Sequence, residues 1–182
     1  MTEDGWFGEA VAATYDDDPD STDAALVAAT VDVLAALTGG EAALELAIGT
    51  GRVALPLAAR GVPVSGIELS GAMIDRLRVK PGGDPASIPV TMGDMRTTRV
   101  AGAGSFSLVY LVFNTIMNVT TQDGQVEVFQ NAAAHLRPGG SFLIETMVPD
   151  LRRLPPGERY VTFDNSARHV GLDEYDTVGD GS

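Results

Sequence analysis

Between residues 42 and 148 the chain alternates short, nearly continuous apolar runs with segments of helical periodicity. No other feature constrains the fold as strongly. A strand without a polar face must be covered on both sides. Strand–helix–strand repetition achieves this in a parallel sheet with helices on both faces. The runs at 42–48, 62–69, 88–92, 106–113 and 141–148 read as strands, and 51–60, 71–79 and 123–136 as helices. KPGGDPAS at 80–87 is a loop, and Arg137-Pro138-Gly139-Gly140 stops the last helix. An earlier helix is predicted from a cap at Ser21 or Asp23 to Gly39-Gly40. Its face carries Leu26, Thr30, Val33 and Leu37, widened by Val27, Val31 and Leu34. In 123–136 the buried stripe is predicted to be Val126, Phe129, Ala133 and Leu136. The fold class is therefore α/β, a doubly wound, mostly parallel sheet.

A length of 182 residues suits one domain with a small appendage. The absence of cysteine excludes disulfides, thiolate metal sites and a cysteine nucleophile. No apolar run is long enough to span a membrane, and no metal-ligand cluster stands out. The start, MTEDGWFGEA, is acidic and unlike a signal peptide, so a cytoplasmic location is expected. Twelve basic against 25 acidic residues give a net charge of −13, and residues 1–23 hold acids but no Lys or Arg. Nucleic acid is disfavoured, because its binding depends on phosphate neutralisation. The predicted organisation is a loosely ordered acidic arm at 1–20, a core at 21–150, and a partial acceptor region and tail at 151–182. Within that last region, 160–164 and 169–175 suggest a small antiparallel pair.

In an open parallel sheet, ligands bind at the carboxyl ends of the strands, where strand order reverses. Four groups follow the strands: Gly49-Thr50-Gly51, Glu68, Gly93-Asp94-Met95 and Phe113-Asn114. Gly49 and Gly51 let the backbone approach a ligand closely. Glu68, about twenty residues further on, suits the two hydroxyls of a ribose. Asp94 suits an exocyclic amine such as that of adenine. Met73, one turn beyond Glu68, offers either a polarizable wall for the same ring or an ordinary core side chain. Together they describe a site for an adenosine with a charged tail that is not a phosphate.

ELAIGTGR at 45–52, GIELS at 66–70, GDM at 93–95 and HLRPGGSFLIE at 135–145 resemble class I S-adenosylmethionine-dependent methyltransferases. The resemblance covers roughly residues 10–150. VFNTIMNV at 112–119, with Gln122 and Gln125, resembles an actinobacterial subgroup linked to small-molecule and sugar methylation. It implies a Rossmann-like methyltransferase fold and S-adenosylmethionine as cofactor. By position it implies that Glu45, Ala47, Gly49 and Gly51 surround the methionine end. Glu68 would hold the ribose, Leu69 and Met73 would flank the adenine, and Asp94 and Met95 would contact its edge. Phe113 and Asn114 would sit beside the sulfonium, and Tyr15 would cover the cofactor. The implied partner is a small-molecule methyl acceptor, with a homodimer as a candidate assembly.

Two rivals follow from the same residues. Gly49-Thr50-Gly51-Arg52-Val53-Ala54 fits G-x-G-x-x-A of a nicotinamide dehydrogenase, although Glu45 and Gly93-Asp94 fit it poorly. A non-catalytic binding module would keep the cofactor residues and lack an acceptor pocket. His135, at a helix end, reads as structural, and His169 as a candidate base. The resembled family has seven strands, so the five strong strands by residue 148 suggest a chain truncated after strand five. The antiparallel pair is then expected to be an insert over the active site.

Overall fold

The computed structural model describes residues 7–17, 24–147, 158–165 and 170–174. The described chain forms two units, 1–146 and 147–182. In the first, five strands are all parallel: β1 (Ala43–Leu46), β2 (Val64–Glu68), β3 (Val90–Met92), β4 (Phe106–Leu111) and β5 (Leu136–Ile144). Their order is β3-β2-β1-β4-β5, so the sheet winds outward in both directions from the β1/β4 junction. The helices are α1 (Glu9–Thr14), α2 (Ala24–Thr38), α3 (Ala54–Ala59), α4 (Gly71–Arg78) and α5 (Gln122–His135). The doubly wound parallel sheet expected from the alternation is present.

Strand periodicity sorts the core into two layers. Leu108, Tyr110 and Val112 join Val31, Leu34, Leu57 and Leu77 on one face. Val109 and Leu111 join Leu44, Leu46, Val128 and Ala132 on the other. Every residue of β1 and β4 is buried, which is why these strands lack a polar alternation.

Four features differ from the sequence reading. The arm is not loose over its described part: α1 leads into a 3₁₀ turn at Tyr15–Asp17 and packs on α4. On α2 the buried side is Val31, Leu34 and Thr38, while Leu26, Val33 and Leu37 are about half exposed. On α5 the buried stripe is Gly124, Val128, Asn131, Ala132 and His135, whereas Val126 and Phe129 face outward. Both helices are apolar on more than one side, so periodicity selected a plausible face and packing selected another. The fifth strand begins at Leu136, because Arg137-Pro138-Gly139-Gly140 forms an irregularity within it instead of a stop before it.

The second unit contains β6 (Tyr160–Asn165) and β7 (Val170–Glu174), paired antiparallel in a sheet of their own. This is the small antiparallel pair expected from sequence, and it does not extend the parallel sheet. His169 and the predicted caps Ser21 and Asp23 lie outside the described residues.

Candidate functional site

The carboxyl ends of β1, β2, β3 and β4 open onto two adjoining spaces at the strand-order reversal. The larger is a cavity of about 370 Å³ whose lining includes Phe7, Ala47, Glu68, Leu69, Asp94, Met95 and Asn118. Its size lies within the usual range for small-molecule pockets. Beside it is a recess of about 30 Å³ whose lining includes Tyr15, Glu45, Ala47, Gly49, Arg52 and Phe113. Ala47 and Thr115 line both spaces and mark where they meet.

Glu68 ends β2 at 6% exposure, so it is not a solvated strand-end acid. Its Oε2 accepts the Gly49 N–H at 2.8 Å, and its Oε1 accepts the Ser70 N–H at 2.9 Å. One carboxylate thus ties the glycine turn to the β2–α4 loop, with lone pairs left for further donors. Asp94 accepts the Arg96 N–H at 2.8 Å and its guanidinium at 2.9 and 2.6 Å. The Arg96 hydrogen bonds, opposed by partial burial, hold the Asp94 carboxyl below its ordinary range.

Glu45 is in the middle of β1, opposite Tyr110 of β4 in the parallel register. The Tyr110 hydroxyl donates to its Oε2 at 3.0 Å. Burial pushes the Glu45 carboxyl up to about 8, against the lowering effects of Tyr110 and Arg52. The charged form of a buried carboxyl lining a recess, with desolvation as its dominant cost, is favoured by any cation placed beside it.

Backbone strain gathers at the same place. Ala47, Phe113 and Asn114 have φ of 53°, 59° and 56°, the only positive values among described non-glycine residues. Such conformations cost about 1–2 kcal/mol each and persist where the surroundings enforce them. At Phe113 and Asn114, Glu145, just beyond β5, enforces them. Its Oε2 accepts the Phe113 N–H and its carbonyl oxygen accepts the Asn114 N–H, both at 3.2 Å. Thr146 Oγ1 donates to Asn114 Oδ1 at 3.1 Å.

The arm closes over the site through polar ties. Ser70 Oγ donates to the Phe7 carbonyl at 2.5 Å, and Thr50 Oγ1 donates to Asp16 at 2.7 Å. Lys80, the single lysine, donates to the Thr50 carbonyl at 2.9 Å and pairs with Asp16 at 2.8 Å.

Of the residues singled out from sequence, Tyr15, Glu45, Ala47, Gly49, Glu68, Leu69, Asp94, Met95 and Phe113 line the two spaces. Asn114 stands next to them, oriented by Thr146. Met73 does not line them: it is 2% exposed and packs as a core side chain. Gly51 lies beneath the turn, where an added Cβ would approach Leu77 Cδ1 to 2.2 Å, so packing demands this glycine. At Gly49 such a Cβ would meet nothing closer than the Ala47 carbonyl at 4.0 Å, which leaves that face open to a ligand. His135 is structural: its Nε2 accepts the Val100 N–H at 3.1 Å, and Nδ1 bonds the Asn131 carbonyl at 2.8 Å.

Sequence reasoning missed Phe7, Arg52, Arg96, Tyr110 and Glu145. Arg52 and Glu145 lie inside the quoted motifs and were legible as polar residues beside strand ends. Phe7 and Tyr110 enter only through tertiary contacts.

The sequence matches the family described as "Methyltransferase domain" over residues 43–140, more than half of the chain. A putative methyltransferase, YqeM of Bacillus subtilis, is 28% identical over 103 residues, covering 56% of this chain and 40% of its own length. The chain therefore spans less than half the length of that curated relative. The CcbJ methyltransferase from Streptomyces caelestis superposes with a TM-score of 0.72 at 32% identity, covering 93% of this chain and 68% of that one. CalS10, an S-adenosylmethionine-bound amino pentose methyltransferase from Micromonospora echinaspora, gives a TM-score of 0.58 at 25% identity, covering 77% and 57% respectively. With strand order, glycine turn and family match in agreement, this chain belongs to the methyltransferase-domain family.

Proposed function

We propose that the chain binds S-adenosylmethionine and transfers its methyl group to a small-molecule acceptor. The observation that carries this reading is the pairing of a nucleoside-sized cavity with a recess whose buried carboxyl is Glu45. The donor set fits the cofactor. Glu68 presents a carboxylate to ribose hydroxyls, and Asp94 and the Met95 backbone lie where an adenine edge would sit. Leu69 supplies an apolar wall, and the open face of Gly49 permits close approach. Glu45 suits the ammonium of the methionine tail.

The bound sulfonium supplies an already activated methyl group. The chain's own task is alignment, and positioning of this kind is worth about 7–11 kcal/mol. Phe113 borders the recess with Asn114 beside it, both held by Glu145, and this wall sets the direction of the acceptor. A base is required only for an acceptor that keeps a proton at neutral pH. The charge of −13 supports a small or cationic acceptor over nucleic acid. The similarity to CalS10 supports an amine on a sugar-like scaffold.

Calorimetry with S-adenosylhomocysteine tests the binding step, with NAD as the control. The expected affinity is about 1 μM, or about 8 kcal/mol. Binding of NAD in preference to S-adenosylhomocysteine would favour the dehydrogenase reading. Turnover with radiolabelled S-adenosylmethionine and an amino-sugar panel then tests transfer, and methylation of tRNA at physiological salt would contradict the acceptor class.

A further inference from the structure

Asn131, within α5, is fully buried yet lines neither space. Asparagine is a poor helix former. Among the described residues, its Oδ1 is the buried side-chain polar atom without a hydrogen-bond partner. Both features cost stability. The amide nitrogen, by contrast, is fully used: Nδ2 donates to the Met95 carbonyl at 2.6 Å and to the Thr98 carbonyl at 3.1 Å. These two carbonyls belong to the loop after β3, which brings Asp94 to the larger cavity.

Peptide geometry passes this grip on to Asp94. In a planar trans peptide the carbonyl and the N–H point in opposite directions. The Met95 carbonyl and the Arg96 N–H belong to one such peptide. Asn131 holds the carbonyl, and the N–H on the other side donates to Asp94 Oδ1 at 2.8 Å. The Asp94 carbonyl accepts the Thr97 and Thr98 N–H groups at 3.1 and 2.8 Å and closes the turn. Arg96 also binds the Asp94 carboxylate, but it belongs to the same loop and its side chain is 41% exposed. It does not fix the loop against the sheet. Asn131 does, because its neighbours Val128 and Ala132 are buried among the residues of β1 and β4. The same side of α5 meets the loop at successive turns, with Glu127 3.8 Å from Arg96 and His135 accepting the Val100 N–H at 3.1 Å.

We infer that Asn131 is a positioning residue that sets the base selectivity of the larger cavity by orienting the Asp94 carboxylate. This rests on the proposed function, in which Asp94 meets the amino edge of adenine. A carboxylate accepts from a 6-amino group and opposes a 6-oxo group, whose oxygen also presents lone pairs. Discrimination between the two depends on where the carboxylate points, and so on the side chain that fixes its loop.

The test is calorimetry with S-adenosylhomocysteine and its 6-oxo analogue, S-inosylhomocysteine. The parent protein should prefer the adenine form by about 10- to 100-fold, the span of a charged hydrogen-bonded contact. N131L fills the same space without donors and should lower that preference roughly fivefold or more. N131S keeps one short donor and guards against a folding failure of N131L, and its preference should fall between the two. The ratio of affinities is the readout, because a loss of folded protein weakens both ligands by the same factor. His135→Leu removes the neighbouring tie to Val100 and should keep the parent preference. An unchanged preference in N131L and N131S, including equal weakening of both ligands, would overturn the inference and leave Asn131 as a packing tie. A parent that binds both forms equally would also overturn it, with the cofactor reading still standing. If the parent binds neither form, the cofactor reading itself fails, an outcome distinct from any difference among variants.

Discussion

The two spaces of the site solve opposite electrostatic problems. In the larger cavity the carboxylates are already satisfied: Glu68 accepts two backbone N–H groups, and Asp94 is held by Arg96. In the recess, Glu45 accepts the Tyr110 hydroxyl at 3.0 Å and a hydrogen bond from the Ala54 backbone, yet burial still pushes its carboxyl up to about 8. On the proposed function, the first half is preorganised for neutral hydroxyls and an amine, which need lone pairs. The second stores a desolvation cost that a ligand cation relieves. Glu45 and Glu68 stand on adjacent, paired strands, yet Glu68 is tied to two loop N–H groups and Glu45 to a buried tyrosine and the Ala54 backbone.

The largest expected effect separates the two glycines of the turn. Gly51→Val forces a side chain into Leu77 at a φ of +79° and should destabilise the fold by about 4 kcal/mol. Gly49→Ala should cost only about 1 kcal/mol of stability and act mainly on ligand affinity. Urea denaturation of both variants checks this, and equal losses would erase the distinction between a packing glycine and a ligand-facing one.

Next is Glu68→Ala, which removes the proposed ribose acceptor and both loop ties. S-adenosylhomocysteine affinity should fall roughly 100-fold by calorimetry. Glu68→Gln keeps one acceptor oxygen and should lose less. Unchanged affinity in the alanine variant would mean that the cavity binds its ligand elsewhere.

The recess should reveal itself through pH. The Glu45 carboxyl is raised in the folded state to about 8, above its usual value of about 4.5. Its contribution to stability is therefore fully present below pH 4.5 and is lost as pH rises towards 8. Glu45→Gln should remove that decline and be the more stable of the two proteins at pH 8. Parallel stability–pH curves for the two proteins would show that Glu45 is not desolvated as described.

The smallest effect belongs to His135, remote from both spaces. Burial lowers its imidazole from the ordinary 6.5, opposed by the Asn131 carbonyl. A depressed histidine contributes stability above the unfolded value, and that contribution declines as pH falls below 6.5. A His135→Leu variant should lack that decline in stability below pH 6.5. Its ligand affinity should match the parent, and a shift in affinity would tie His135 to the site.

The sequence by itself determined the parallel strands, because β1 and β4 have no polar face to offer solvent. It also determined the strand-end groups, because Gly49, Glu68 and Asp94 are chemistry without an obvious structural use in a linear reading. The tertiary structure decided which faces of α2 and α5 are buried, since apolar residues on several sides of a helix leave periodicity undecided. Only it separated Gly49 from Gly51, through the position of Leu77 more than twenty residues away. It also moved Met73 from a ring wall to the core. Arg52 is the mixed case. Its place in the motif was plain in sequence, but the ring its guanidinium lies over, Phe113, is about sixty residues away. Local pattern reports what a residue can do, and long-range packing fixes what it faces.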